Sequence, residues 1–244
     1  MKTLLLDIET APNLAHVWGL WQQNVGINQI IDAGYTLCWA AKWLGDRKVM
    51  FSGLNEDTAE DMIQKIYDLV DEADAVVHYN GTKFDMPTLN KEFLLNQHTP
   101  PSPYKQIDLL RTARGQFRFP SNKLDYIAQA LDLGSKTKHV GHQLWIDCMQ
   151  GDKKAWKTMK EYNIQDVNLL EKVYNKLLPW IVSHPHHALY NTDSEKNVCH
   201  NCGSEDMRRQ GYAYTPLGKF QQFQCKSCGK WMRAKKSLAK VDVR

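Results

Sequence analysis

The sequence predicts an α/β protein, a mixed sheet flanked by helices, with a small cysteine-bearing module at its C-terminal end. Three observations carry that prediction. Short apolar runs alternate with helix-period segments through the first 180 or so residues, the pattern of a layered α/β fold. An early strand pair meets at Gly45-Asp46, a hairpin signal that makes the sheet mixed rather than wholly parallel. Four cysteines fall in two close pairs between residues 199 and 228.

Each element has its own reason. Residues 3–8, TLLLDI, are apolar without a helical period and read as a buried strand. Residues 34–44 and 47–53 form the hairpin strands. Over 55–73, Met62, Ile63, Ile66, Leu69 and Val70 share one helical face, and acids crowd the first turn, where the helix dipole favours them. Residues 74–81 are a short strand ending in an Asn-Gly turn, and 85–96 are a helix with Pro87 in its first turn. After the loop 99–103, residues 104–110 make a strand that feeds a helix over 109–114, and a further helix over 122–134 closes at Gly134. Residues 152–178 form one or two helices that stop at Pro179. The expected division is a domain over 1–182, a linker over 183–197 (SHPHHALYNTDSEKN) and a module over 198–244.

Composition narrows the function classes. With 244 residues the chain has room for one substantial domain and a small one. A hydrophobic share of 43% and eight tryptophans suit a packed core and exclude a disordered or collagen-like chain. No apolar run reaches membrane-spanning length, and Asp7 and Glu9 interrupt any signal-peptide core. The expected location is therefore the cytoplasm, with reduced cysteines. Charge is split: residues 1–195 carry 20 Lys and Arg against 24 Asp and Glu, net −4, and residues 196–244 carry 11 against 3, net +8, giving the chain +4. A basic tail on an acidic body points to an acidic partner for the tail.

The acids in the body ask for an explanation. Asp7 and Glu9 are two apart, so in a strand they project from one face. Two like charges held there are costly unless a divalent metal joins them; a pair of solvated acids is the plainer alternative. Asp85 follows the strand 75–79, close to the crevice where parallel strands end, although an Asp before Pro87 also suits a helix cap. On 162–178 the inward stripe runs Tyr162, Asp166, Leu169, Val173, Leu177. Asp166 is the one acid in an apolar stripe, and a buried carboxylate calls for a cation or a metal. Tyr162 lies one turn before it on the same face.

LDIET (6–10), HYNGTKFDMP (78–87) and YNIQDV (162–167) resemble, in order, the three motifs of the DEDD exonucleases on the ribonuclease H-like fold. Tyrosine four residues before the last aspartate resembles the DEDDy branch, which includes polymerase proofreading domains; the sister branch would place a histidine at 161, where this chain has Glu161. The layout is especially similar to stand-alone, phage-type exonucleases. The resemblance implies two Mg²⁺ or Mn²⁺ ions held by Asp7, Glu9, Asp85 and Asp166, with Asp7 shared between them. It also implies that Tyr162 orients the attacking water, since a phenol with an ordinary pKa near ~10 is a poor base at neutral pH. Asn80 and Phe84 resemble positions that touch or wedge the terminal nucleotide, with a core role as the alternative for Phe84. Asp108 is either close to the site or a cap for the helix after it. Lys123, Lys136, Lys138, His139 and His142 are candidate phosphate contacts, each with a solvated surface role as the alternative.

Cys199-x₂-Cys202 and Cys225-x₂-Cys228 can close a tetrahedral Zn²⁺ site across a hairpin of 22 residues. Gly203 and Gly229 follow the second cysteine of each pair, where a tight knuckle needs them. His200 is a bystander to four sufficient thiolates, and Cys38 and Cys148 read as core residues. With Zn²⁺ bound to four thiolates the tail keeps a charge of about +6. Arg208, Arg209, Lys219 and Lys230, interleaved with Tyr212, Tyr214, Phe220, Phe223 and Trp231, suit phosphates and stacked bases of a single strand. This part resembles a zinc ribbon.

The expected activity is metal-dependent 3′→5′ exonucleolytic hydrolysis of single-stranded DNA ends. The alternatives are the same chemistry on RNA, a non-catalytic nucleic-acid-binding adaptor that works through the ribbon, and an endonuclease. Expected partners are single-stranded DNA 3′ ends and a separate polymerase or replication protein, without a membrane. The compartment would be the host cytoplasm if the chain is phage-encoded.

Overall fold

A computed structural model describes residues 1–135, 141–190 and 197–242. The chain divides into two compact units: Lys2–Leu110 with Ser121–Val173, and Arg111–Pro120 with Tyr174–Arg244 and Met1.

In the larger unit, β1 (Thr3–Thr10) is followed by β2 (Leu14–Ala15), β3 (Ile30–Asp32), β4 (Thr36–Trp43), β5 (Met50–Gly53), α1 (Ala59–Glu72), β6 (Ala75–His78), α2 (Asp85–Leu95) and β7 (Lys105–Asp108). Then come α3 (Leu109–Gln116), α4 (Leu124–Ala130), α5 (Gln143–Met149) and α6 (Lys153–Leu177), of which α3 and α6 run on into the smaller unit. The main sheet has the order β5-β4-β1-β6-β7. β1 is antiparallel to β4 and parallel to β6, so the sheet is mixed and β1 is its central strand.

Alternation along β1 sorts its side chains. Leu4, Leu6 and Ile8 enter a core with Met62, Ile66, Leu89 and Phe93 of α1 and α2. On the opposite face, Leu37 and Cys38 of β4 pack with Leu144, Trp156, Met159 and Tyr162 of α5 and α6. Leu4, Leu5 and Leu6 are fully buried, worth roughly 1.5–3 kcal/mol each. That burial anchors a strand whose end carries two acids. α1 starts at Thr58, whose hydroxyl accepts from Asp61 N at 3.1 Å, a standard N-cap.

Three features depart from the sequence reading. Residues 122–134 do not stay helical to Gly134: α4 ends at Ala130, and Asp132 already takes a left-handed φ of 55°. The stretch 12–34, with its short β2–β3 pair and a single 3₁₀ turn at Ile27–Gln29, and the seven-residue α5 were not anticipated.

In the smaller unit, Pro179 ends α6 in a 3₁₀ turn, Leu178–Trp180. β8 (Met207–Thr215), β9 (Gly218–Cys225) and β10 (Trp231–Lys240) form an antiparallel sheet ordered β10-β9-β8. Within the segment expected as a linker, His184 is buried, its Nε2 sits 2.7 Å from Tyr174 Oη, and His187–Tyr190 form a 3₁₀ turn. Residues 191–196 of that segment lie outside the described residues. Burial pushes His184 down to about 4. Among the described residues no helix is long and apolar enough to cross a membrane.

Candidate active site and a four-cysteine cluster

The strand and the helix expected to carry acids bring three of them together. Asp7 and Glu9 leave β1 on one face, and Asp166 comes from the middle of α6. One oxygen from each lies within 4.8 Å of the others. Asp166 is 1% exposed, in the inward stripe of α6 with Leu169, Val173 and Leu177. Asp85, expected with them, lies outside this trio and meets β1 at the backbone between Asp7 and Glu9. It is the first residue of α2, and the N-cap position belongs to Phe84. The Asp85 carboxylate reaches back to β1, where Oδ1 accepts from Ile8 N at 3.3 Å. Burial, with the nearby charge of Asp108 adding to it, pushes the Asp85 carboxyl up to about 7 against that hydrogen bond. The donor set is all oxygen and anionic, which suits a hard divalent cation such as Mg²⁺ or Mn²⁺. Such an ion offsets the repulsion that clustering creates.

Two side chains that sequence reasoning missed orient these acids. Asn163, fully buried on α6, donates from Nδ2 to Asp7 Oδ2 at 2.7 Å. Trp145 on α5 donates from Nε1 to Glu9 Oε2 at 3.1 Å, and its ring meets Tyr162 edge-on at 6.1 Å. Spacing offered a signal only for Asn163, three residues before Asp166 on the same helix. Asp108 caps the helix after it and also holds the turn before α2. Its Oδ1 accepts from Leu110 N at the start of α3 and from Asn80 N, each at 3.0 Å. Asn80 is held at a left-handed φ of 71°. Gly81 permits close packing there, because a Cβ would meet the His78 ring at 2.3 Å.

A family model for the RNase_H superfamily matches residues 32–178, more than half of the chain. The chain belongs to the RNase_H superfamily. The matched span contains Asp85 and Asp166 and begins after Asp7 and Glu9. Among solved structures, this superfamily chain is similar in fold to the family B DNA polymerase from the hyperthermophilic archaeon Pyrobaculum calidifontis. The TM-score is 0.53 at 19% identity, over 73% of this chain and 24% of that one. No curated protein sequence matches. The RNase H-like fold, with acids gathered on its central strand, supports nuclease chemistry in general terms.

The remaining candidates of this RNase_H chain are placed as follows. Phe84 is half-exposed and lines a groove with Thr10, Lys83 and Lys91. Lys123 takes the N-cap position of α4 and His142 that of α5. Lys136, Lys138 and His139 lie outside the described residues. In the smaller unit, Arg208 donates to Gln224 Oε1 at 2.7 Å, and Arg209 is exposed on β8 opposite Phe223. Lys219 lies 3.9 Å over the Tyr212 ring. Lys230 Nζ donates to the Ile181 carbonyl at 2.7 Å, so this lysine also ties β10's entry to the end of α6.

Cys199, Cys202, Cys225 and Cys228 place their sulfurs within 4.8 Å of one another. The Cys199–Cys228 and Cys202–Cys225 separations are 3.5 and 3.6 Å. These lie far beyond a disulfide of about 2.05 Å and close to the edge of a tetrahedron built on Zn–S bonds of about 2.3 Å. Gly203 and Gly229 take φ of 74° and 83°, as tight knuckles require. The four thiols therefore fit Zn²⁺.

Proposed function

We propose that this chain is a DEDDy-type 3′→5′ exonuclease, similar to those of phages, that trims single-stranded DNA ends. The supporting observation is the convergence of Asp7, Glu9 and Asp166 within 4.8 Å, with Asp85 accepting from Ile8 N of the same strand and Tyr162 one turn from Asp166. Asp7, Glu9, Asp85 and Asp166 would hold two Mg²⁺ or Mn²⁺ ions. When bound, these supply the Lewis acidity that makes water a nucleophile at neutral pH and neutralises charge on the scissile phosphate. The protein's own side chains do the positioning. Asn163 fixes the Asp7 carboxylate and Trp145 fixes Glu9. Tyr162, packed against Trp145, would orient the attacking water through its hydroxyl. Asn80 and Phe84 present a polar group and a ring to the terminal nucleotide.

In this reading the domains are 1–182 and 198–244, joined by 183–197, and the second is a basic zinc ribbon that grips the strand. A groove of about 1170 Å³ over β9 and β10 supports that role: Phe220, Phe223, Trp231, Arg233, Lys235 and Lys236 line it. Aromatic rings among cations suit single-stranded nucleic acid. A separate polymerase or replication protein would supply the ends, in the cytoplasm.

The test is a 5′-labelled single-stranded DNA and its RNA counterpart, each incubated with Mg²⁺, with Mn²⁺ and with EDTA. A one-nucleotide ladder on DNA, abolished by EDTA, is expected. A ladder confined to RNA would move the substrate to RNA. Internal fragments would mean an endonuclease, and no cleavage under any metal would leave a nucleic-acid-binding adaptor.

A further inference from the structure

The excursion Pro12–Gly34 is tied both at its ends and within. Its neck is closed: Asn13 Oδ1 accepts from Gly34 N at 2.6 Å and Ala11 N donates to Tyr35 O at 2.8 Å. A Cβ at Gly34 would lie 2.6 Å from the Ala11 carbonyl oxygen, so only glycine permits this approach. Beyond the neck, His16 N donates to Gln29 O at 2.9 Å, and the Gln29 side chain bonds both Gly26 N and His16 O. This is a loop with joined ends and internal ties, a form often functional.

Its large side chains nevertheless point to solvent. Trp18 is 100% exposed and Trp21 is 84% exposed, with Leu20 and Ile27 equally bare. No Asp, Glu, Lys or Arg occurs from Ala11 to Ile31. The exposed polar side chains between them include the amides Gln22, Gln23, Asn24 and Asn28. A bare apolar surface of this kind marks a binding site.

The neck indicates the ligand. Thr10, Asn13 and Gly34 line a groove of about 480 Å³ together with Lys83, Phe84 and Lys91. One wall of that groove thus continues the strand bearing Asp7 and Glu9, and the other flanks Asp85. Lysines in the groove suit phosphates, indoles suit the faces of bases, and amides suit base edges. A stretch free of acids within a body of net negative charge lets a polyanion approach. An apolar protein surface would also cover the indoles, but it would have no use for the adjoining lysine-flanked groove.

We propose that the Pro12–Gly34 loop is a base-stacking platform on which Trp18 and Trp21 each hold a base of the single strand whose end lies at the carboxylates. The proposal rests on the nuclease reading above, and the experiment separates the two. Full-length protein is titrated with a fluorescein-labelled thymidylate dodecamer without added divalent cation, and cleavage of the same oligonucleotide is followed separately with Mg²⁺. The variants are Trp18→Ala/Trp21→Ala and Trp18→Phe/Trp21→Phe. Both side chains are exposed, so neither pair threatens the core. The alanine pair is expected to bind at least about tenfold more weakly, and the phenylalanine pair to recover most of the loss. Equal affinity of wild type and the alanine pair overturns the platform, whatever the cleavage result; so does a loss of self-association or partner binding with nucleic-acid affinity intact. Tryptophan-dependent binding without cleavage by the wild type supports the platform and removes the nuclease reading.

Discussion

The protein carries two clusters fit for metal, and they are built in opposite ways. The carboxylate cluster takes its members from positions 7, 9 and 166, on a central strand and a 25-residue helix. Those elements stand on a buried apolar core, so the fold assembles the ligands. The cysteine cluster draws on two short knuckles around a three-stranded sheet, whose middle strand is only half-buried along most of its length. There little apolar surface is buried around the ligands. Hard oxygen donors suit a catalytic divalent cation, and four mutually close sulfurs suit a closed structural site. The lesson is that a cluster's dependence on metal follows from how much apolar surface its surroundings bury without one.

The comparison can be broken most severely by removing zinc. Chelation, or Cys199→Ser with Cys228→Ser, is expected to unfold β8–β10, since structural zinc contributes on the order of 10 kcal/mol or more. Amide hydrogen exchange should then show protection lost over 199–240 and retained over β1, β4 and β6. Loss across both regions would mean that the larger unit also depends on the metal. Next in size, Asp166→Ala or Asp7→Ala should lower cleavage by roughly 10²–10³-fold or more while circular dichroism and strand affinity stay near wild type. A variant with wild-type turnover would remove that carboxylate from the metal site.

A smaller effect is expected one layer out. Trp145→Phe and Asn163→Leu remove hydrogen bonds to Glu9 and Asp7. Each should weaken Mn²⁺ binding by about 10–100-fold, read by paramagnetic resonance of the free ion. Unchanged affinity would make these residues packing groups only. The smallest effect concerns Asp85. Its carboxyl is raised to about 7 by burial, against ~4 in an unfolded chain. Between those values the folded chain keeps a proton that the unfolded chain has lost, so metal-free stability falls as pH rises from ~4 to about 7. Asp85→Asn should therefore melt several degrees above wild type at pH 8, with the gap closing by pH 4. Saturating Mg²⁺ should narrow the gap at pH 8, and an identical gap with and without metal would argue against Asp85 as a ligand.

Much of this arrangement was legible before any coordinates, for reasons that also explain the failures. β1 announces itself through an apolar run with no helical period, and Asp166 through its place in an apolar stripe. Both are long elements with strong patterns. α5 spans seven residues, too few to show a period, so Trp145 had no helix to be placed on. Asn163 looks like a polar residue next to a motif until the strand opposite it is known. The 12–34 loop has strands of two and three residues and no charge pattern, so nothing local marks it. α4 stops early because Asp132 takes the left-handed turn ahead of the glycine expected to do so.

Asp108 has one further consequence. By gripping the Asn80 amide it fixes the backbone leading to Phe84 in a left-handed conformation that asparagine tolerates better than other side-chain-bearing residues. The entropy of ordering that turn is spent when the chain folds, so whatever docks against it meets a rigid template and keeps more of its contact energy as affinity.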